Sequence, residues 1–84
     1  MQYNEVEFWL RRWFRDRGAA AAGSAPAEID YFEVQWIDSL AVIELIEAIE
    51  QKFSVRFSET NFTDRRFSTL SGLATIIGEL RGGA

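Results

Sequence analysis

Neither cysteine nor histidine occurs in the 84 residues, and proline appears once, as Pro26. Without cysteine there is no disulfide framework and no zinc–thiolate site. The missing histidine excludes more: a histidine-dependent triad, a histidine metal cluster and an imidazole general base. Basic charge is short as well. The net charge of -4 argues against nucleic acid, which is bound by a basic surface. No apolar run approaches the roughly 20 residues that span a bilayer. The start, Met1-Gln2-Tyr3-Asn4-Glu5, lacks the basic and then apolar make-up of a signal peptide. The expectation is a non-enzymatic, cytoplasmic protein without stable membrane insertion and without a metal site.

What is present suits one small domain over residues 1–84. Hydrophobic residues make up 48% of the chain, including seven Phe and three Trp, so a packed core needs no staples. Charge is unevenly spread: residues 1–17 carry +1, residues 18–60 carry -6 and residues 61–84 carry +1. A basic partner is drawn to the acidic middle.

Apolar spacing predicts an all-α fold. Tyr3, Val6, Leu10, Trp13 and Phe14 share one face of a helix over about 2–17, which Gly18 ends in the usual C-terminal position. Residues 18–38 read as a long first loop, with an extra turn allowed at Ala19–Ala22. A second helix, about 39–53, starts at Asp38 or Ser39, both favoured caps, and turns Val42, Leu45, Ile46, Ile49 and Phe53 to one face. Phe53-Ser54-Val55-Arg56-Phe57 alternates like an extended segment. Ser58 caps a short helix, about 59–64, with Phe62 facing inward. Ser68 or Thr69 caps the last helix, about 69–81, striped by Leu70, Leu73, Ile76, Ile77 and Leu80 and stopped by Gly82-Gly83. The sum is a small four-helix bundle, three helices longer and one short, expected as a monomer.

The second helix contains a misfit. With its core direction set by Val42, Ile46 and Phe53, the opposite face holds Leu40, Glu44, Glu47 and Gln51, with Ile43 and Glu50 at its edge. Either the long loop or the third helix covers Leu40 and Ile43, or they are apolar anchors in an acidic rim offered to a basic partner. Asp38-Ser39 stands where that helix starts. There a hydroxyl is accessible and the helix N-terminus favours a neighbouring anion; taken alone, the pair is ordinary capping chemistry. On the first helix Phe8 falls opposite the core among Asn4, Arg11, Arg12 and Arg15, with Trp9 on the flank. A surface aromatic covered by arginine stems is the simplest reading; a second docking patch and a membrane-surface contact are the others.

The run Trp36-Ile37-Asp38-Ser39-Leu40-Ala41-Val42-Ile43-Glu44-Leu45-Ile46-Glu47-Ala48-Ile49-Glu50-Gln51-Lys52-Phe53 resembles the modification site and second helix of acyl carrier proteins. Phe53-Ser54-Val55-Arg56-Phe57 and Phe67-Ser68-Thr69-Leu70 are similar to the family too. The resemblance implies a freestanding carrier whose 4'-phosphopantetheine arm is moved from coenzyme A onto Ser39 by a phosphopantetheinyl transferase. Cargo would ride as a thioester, placed by an acyl- or aminoacyl-loading ligase and taken up by downstream transferases. It further implies that Asp38 helps orient the transferase and its metal, that Leu40 completes the motif, and that Leu40, Ile43, Glu44 and Glu47 form the gripped surface. The chain departs from the family where Gln35-Trp36-Ile37 replaces a common Gly, and at Ala41 and Glu47. Asp30-Tyr31-Phe32-Glu33 is closer to carriers of the D-alanyl type. Cargo identity (fatty acyl, polyketide or aminoacyl) stays open at this level, and the rival reading is a carrier-fold interaction module that is never modified.

Overall fold

The computed structural model describes residues 2–82, with side chains from Glu5 onward. Tyr3 and Asn4, placed on the first helix by spacing, and Gly83 of the expected helix stop lie outside those side chains and residues. Four helices follow in order: α1 Gln2–Asp16, α2 Ala41–Phe53, α3 Glu59–Phe62 and α4 Leu70–Arg81. Among the described residues there is no strand, and no helix is long and apolar enough to cross a membrane.

The apolar stripe of α1 buries Val6, Leu10 and Phe14, while Trp13 is only half-buried. The helix ends where Gly18 adopts φ 108°, a backbone that a side chain disfavours. The N–H groups of Gly18 and Ala19 then return to the carbonyls of Arg15 and Phe14, both at 3.0 Å. The alanine run that follows forms a 3-10 turn, Ala20–Gly23, with Ala22 buried. Arg11 holds it. Its guanidinium donates to the carbonyls of Ala22 (2.9 Å) and Ala25 (2.6 Å) and pairs with Glu7 at 2.9 Å. Arg11 is therefore a clamp on the loop and not part of a cover over Phe8, which stays 63% exposed.

Farther along the loop, Tyr31 enters the core. Its ring packs on Phe14 with centroids 4.9 Å apart, its hydroxyl donates to the Phe67 carbonyl, and its N–H donates to Ser68 O at 3.1 Å. A single antiparallel bridge joins Asp30 to Thr69. Burial, with Asp30 beside it, pushes the Tyr31 phenol far above its ordinary range, so it remains a neutral donor.

The core stripe of α2 is Leu45, Ile49 and Phe53, all buried; Val42 and Ile46 are only partly so. Val42 and Ile46 pack at the margin of the core beside a groove, so the most buried direction lies a fraction of a turn from the expected one. At the far end Ser54 takes the left-handed conformation (φ 56°). Val55 and Phe57 then turn inward while Ser54 and Arg56 face water, the alternation read from the sequence.

Helix α3 stops at Phe62, two residues short of the expected end. Asp64 adopts extended backbone and its carboxylate accepts from Arg66 N at 2.9 Å, opening a 3-10 turn over Arg65–Ser68. Phe62 does not face inward: it is 44% exposed, tilted against Phe57 and edge-on to Phe67. A helix of four residues is too short to turn one face fully toward the core. Arg66 bridges Asp64 and Glu79, each at 2.8 Å. Its hydrogen bonds hold both carboxyls below their ordinary range. The tie is therefore complete above the ordinary carboxylate range and is lost as pH falls through and below it.

Thr69, not Ser68, caps α4, its Oγ1 accepting from Gly72 N at 2.9 Å. Leu70, Leu73, Ile76 and Ile77 are fully buried. Gly72 is fixed by space: a Cβ there would stand 2.1 Å from the Arg66 carbonyl oxygen. At Gly78 a Cβ would meet nothing within 4 Å. Gly72→Ala should therefore destabilise by at least about 1–3 kcal/mol, and Gly78→Ala should stabilise by about 0.5–1 kcal/mol. Urea unfolding midpoints at constant slope check both; equal midpoints for the two variants would contradict the packing described.

Candidate functional site

Between Tyr31 and α2 the chain makes a tight reversal. Gln35 adopts φ 63°, and the N–H groups of Gln35 and Trp36 bond to the carbonyls of Phe32 and Tyr31, both at 3.0 Å. Trp36 then packs on Phe14 (centroids 5.5 Å apart) and Ile37 is buried. With both sides of this segment anchored, Asp38 arrives at the start of α2 in a fixed attitude. Its Oδ1 accepts from Leu40 N at 3.1 Å and from Ala41 N at 2.8 Å, and its carbonyl accepts from Val42 N at 3.0 Å. Of the two candidates it is Asp38 whose side chain accepts the first free N–H groups; the Ile43 N–H returns to the Leu40 carbonyl (3.2 Å) and not to that of Ser39, so regular helix begins at Ala41.

Ser39, relieved of capping, is exposed on the first turn. Leu40 is 77% exposed and Ile43 55%. Neither the loop nor α3 covers them, so that alternative falls. The acidic residues of α2 divide. Glu44 pairs with Arg17, whose guanidinium also lies 4.4 Å over the Trp13 ring. Glu50, placed at the edge of the same face by the sequence, turns back and accepts from Phe57 N at 2.9 Å. Glu47 is exposed beside Leu40 and Ile43 on that side of the helix. Lys52 stands in the last turn, at the other end of α2.

Two hollows flank this helix start. One, about 400 Å³, is a largely apolar groove lined by Phe32, Val42, Ile46, Phe62 and Phe67, with Asp64 and Ser68 as its polar members. The other, about 510 Å³, lies between the end of α1 and the reversal and is lined by Trp13, Arg17, Gln35, Trp36 and Asp38 among others. Phe32 lines both. Arg17, Gln35 and the indoles were not legible as site residues in the sequence: only the fold brings residues 13–17 beside 35–38. Among the described residues no three His, Cys, Asp or Glu side chains gather as a metal site.

The family model described as a phosphopantetheine attachment site matches residues 20–77 of the chain. No curated protein sequence matches it.

The division of α2 into a buried and an exposed side is measurable. Leu45→Ala or Ile49→Ala should cost about 2–5 kcal/mol, while Leu40→Ala or Ile43→Ala should stay within about 0.5 kcal/mol. Thermal melts of the four variants would show it, and a Leu40→Ala melt as low as that of Ile49→Ala would be incompatible with the exposure found here.

Proposed function

The chain belongs to the phosphopantetheine attachment-site family, whose members carry 4'-phosphopantetheine covalently, and on that premise we propose that Ser39 bears the arm and that this domain presents thioester-bound cargo to partner enzymes. The observation that carries the assignment is the freed hydroxyl: Asp38 takes both capping bonds, and Ser39 is left exposed beside it. The residues fit such a group. A phosphodiester on Ser39 Oγ is an anion at the N-terminal end of a 13-residue helix, where the helix dipole favours negative charge by about 0.3–1 kcal/mol. The like charge of Asp38 is blunted by the two N–H groups it accepts. When attached, the arm supplies a terminal thiol for thioester exchange.

The protein's own residues do the positioning. Asp38 fixes the turn, so a phosphopantetheinyl transferase meets Ser39 in one geometry. Leu40 and Ile43 offer apolar contact, and Glu47 with the partly exposed Glu44 offers charge to a basic partner, transferase or loading ligase. The reading of an unmodified interaction module has less support, since the family match and the unencumbered serine both favour attachment.

Incubation with coenzyme A and a broad-specificity transferase should add the mass of one arm, and Ser39→Ala should add none. An unchanged mass for the parent protein with several transferases, or an arm on the Ser39→Ala variant, would falsify the assignment.

Glu47→Lys should slow arm transfer several-fold at low salt and flatten its decline as salt rises, since steering by exposed charge is screened. Glu47 is a cleaner probe than Glu44, whose reversal would also release Arg17. Initial rates at low and high ionic strength decide; identical salt slopes for parent and variant would remove Glu47 from the docking surface.

A further inference from the structure

We propose that the arm, once on Ser39, folds back into the hollow between the end of α1 and the Gln35–Asp38 reversal, where Trp13, Trp36, Gln35 and Arg17 hold it. The proposal rests on Ser39 being the attachment point. The hollow is contiguous with that point, because Asp38 and Ala41, on either side of Ser39-Leu40, both line it. Its chemistry suits an amphiphilic chain. A phosphopantetheine arm alternates polar units (a phosphodiester, a hydroxyl and two amides) with short apolar ones, including a gem-dimethyl carbon. The lining alternates too, with two indole faces, a carboxamide and a guanidinium.

Donors in the wall are available. None of the side-chain hydrogen bonds among the described residues engages Gln35 or Trp36. Arg17, held by Glu44 and by the Trp13 ring, adds a guanidinium to the same wall. The apolar groove on the other flank offers the amides little. Its polar groups are few and engaged: Asp64 is committed to Arg66 and the Ser68 hydroxyl donates to the Arg65 carbonyl, so amides buried among Phe and Val side chains would lose most of their water partners without replacement.

The backbone at Gln35 gives a separate reason. A φ of 63° is costly for a residue with a side chain and easy for glycine. For the turn alone glycine would serve better. A carboxamide reaching into the hollow explains the glutamine.

The three tryptophans make the test direct. The full chain, labelled with nitrogen-15, is compared before and after loading with coenzyme A and a transferase, with mass confirming the arm. The indole N–H signals of Trp13 and Trp36 should shift. That of Trp9, whose ring packs on Phe53 with centroids 5.4 Å apart, should not. Gln35→Gly keeps the turn, accepts the arm by mass, and should lose most of the Trp13 shift. A shift confined to Trp36, which stands three residues from Ser39, counts against the proposal. So does movement of the Phe62 and Phe67 amides instead, which would put the arm in the apolar groove. Loaded protein with all three indole signals unmoved means an arm free in solvent and overturns the proposal while leaving Ser39 as its attachment point. Absence of any mass gain removes both readings at once.

Discussion

Tyr31 is the constraint through which the rest of the site is placed. Twenty-four residues, Arg17 to Leu40, separate α1 from α2, and ordering each costs about 1–2 kcal/mol in backbone entropy. A segment of that length holds a shape only if it is tied at intermediate points. The phenol ring buried on Phe14, with its hydroxyl on the Phe67 carbonyl, ties the middle of the loop simultaneously to α1 and to the turn before α4. The Arg11 clamp secures the earlier half. From Tyr31 the chain needs only the Gln35 reversal and the Trp36 and Ile37 anchors to deliver Asp38. Loss of the buried tyrosine would thus disturb the serine eight residues on without touching it.

Charge in this protein serves two ends on one helix. Glu50 satisfies a backbone N–H and Glu44 links α2 to Arg17 just after α1, so two of the three carboxylates that looked like one recognition face belong partly to architecture. Exposed ion pairs contribute only about 0–1 kcal/mol, so the Glu44–Arg17 pair positions Arg17 beside the hollow more than it stabilises the fold. What is left for a partner is smaller than the sequence suggested: two apolar side chains and mainly one acid.

The helix order, the α4 stripe, the Gly18 stop and the exposure of Leu40 and Ile43 were all legible, because each follows from periodicity or a local cap. The illegible parts depend on distant partners. Tyr31 reads as a loop residue until Phe14 and Phe67 surround it. Phe62 looks like core until Asp64 captures Arg66 N and ends the helix early. The D-alanyl likeness drawn from Asp30-Tyr31-Phe32-Glu33 finds no separate support: Asp30 Oδ1 accepts from the N–H groups of Phe32 and Glu33, and these residues shape the loop. Ser39 itself stood out in the sequence only through its neighbours, and what frees its hydroxyl is a division of labour with Asp38 that hydrogen-bond geometry alone reveals.

The placing of Ser39 and Lys52 at opposite ends of α2 bears on how long an activated cargo survives. Thioesters are lost to nearby thiols, imidazoles and amines. The protein body has no thiol and no imidazole, and its one side-chain amine is Lys52. Thirteen residues of helical rise, at 1.5 Å each, put the lysine about 20 Å along the helix from the serine. On the proposed reading, cargo on an arm folded back beside Ser39 would be surrounded by amides, carboxylates, guanidinium and aromatic rings, none of which competes as an acyl acceptor. Such a scaffold would be chemically mute toward what it carries, leaving the lifetime of the bond to water and to the enzymes that come to break it.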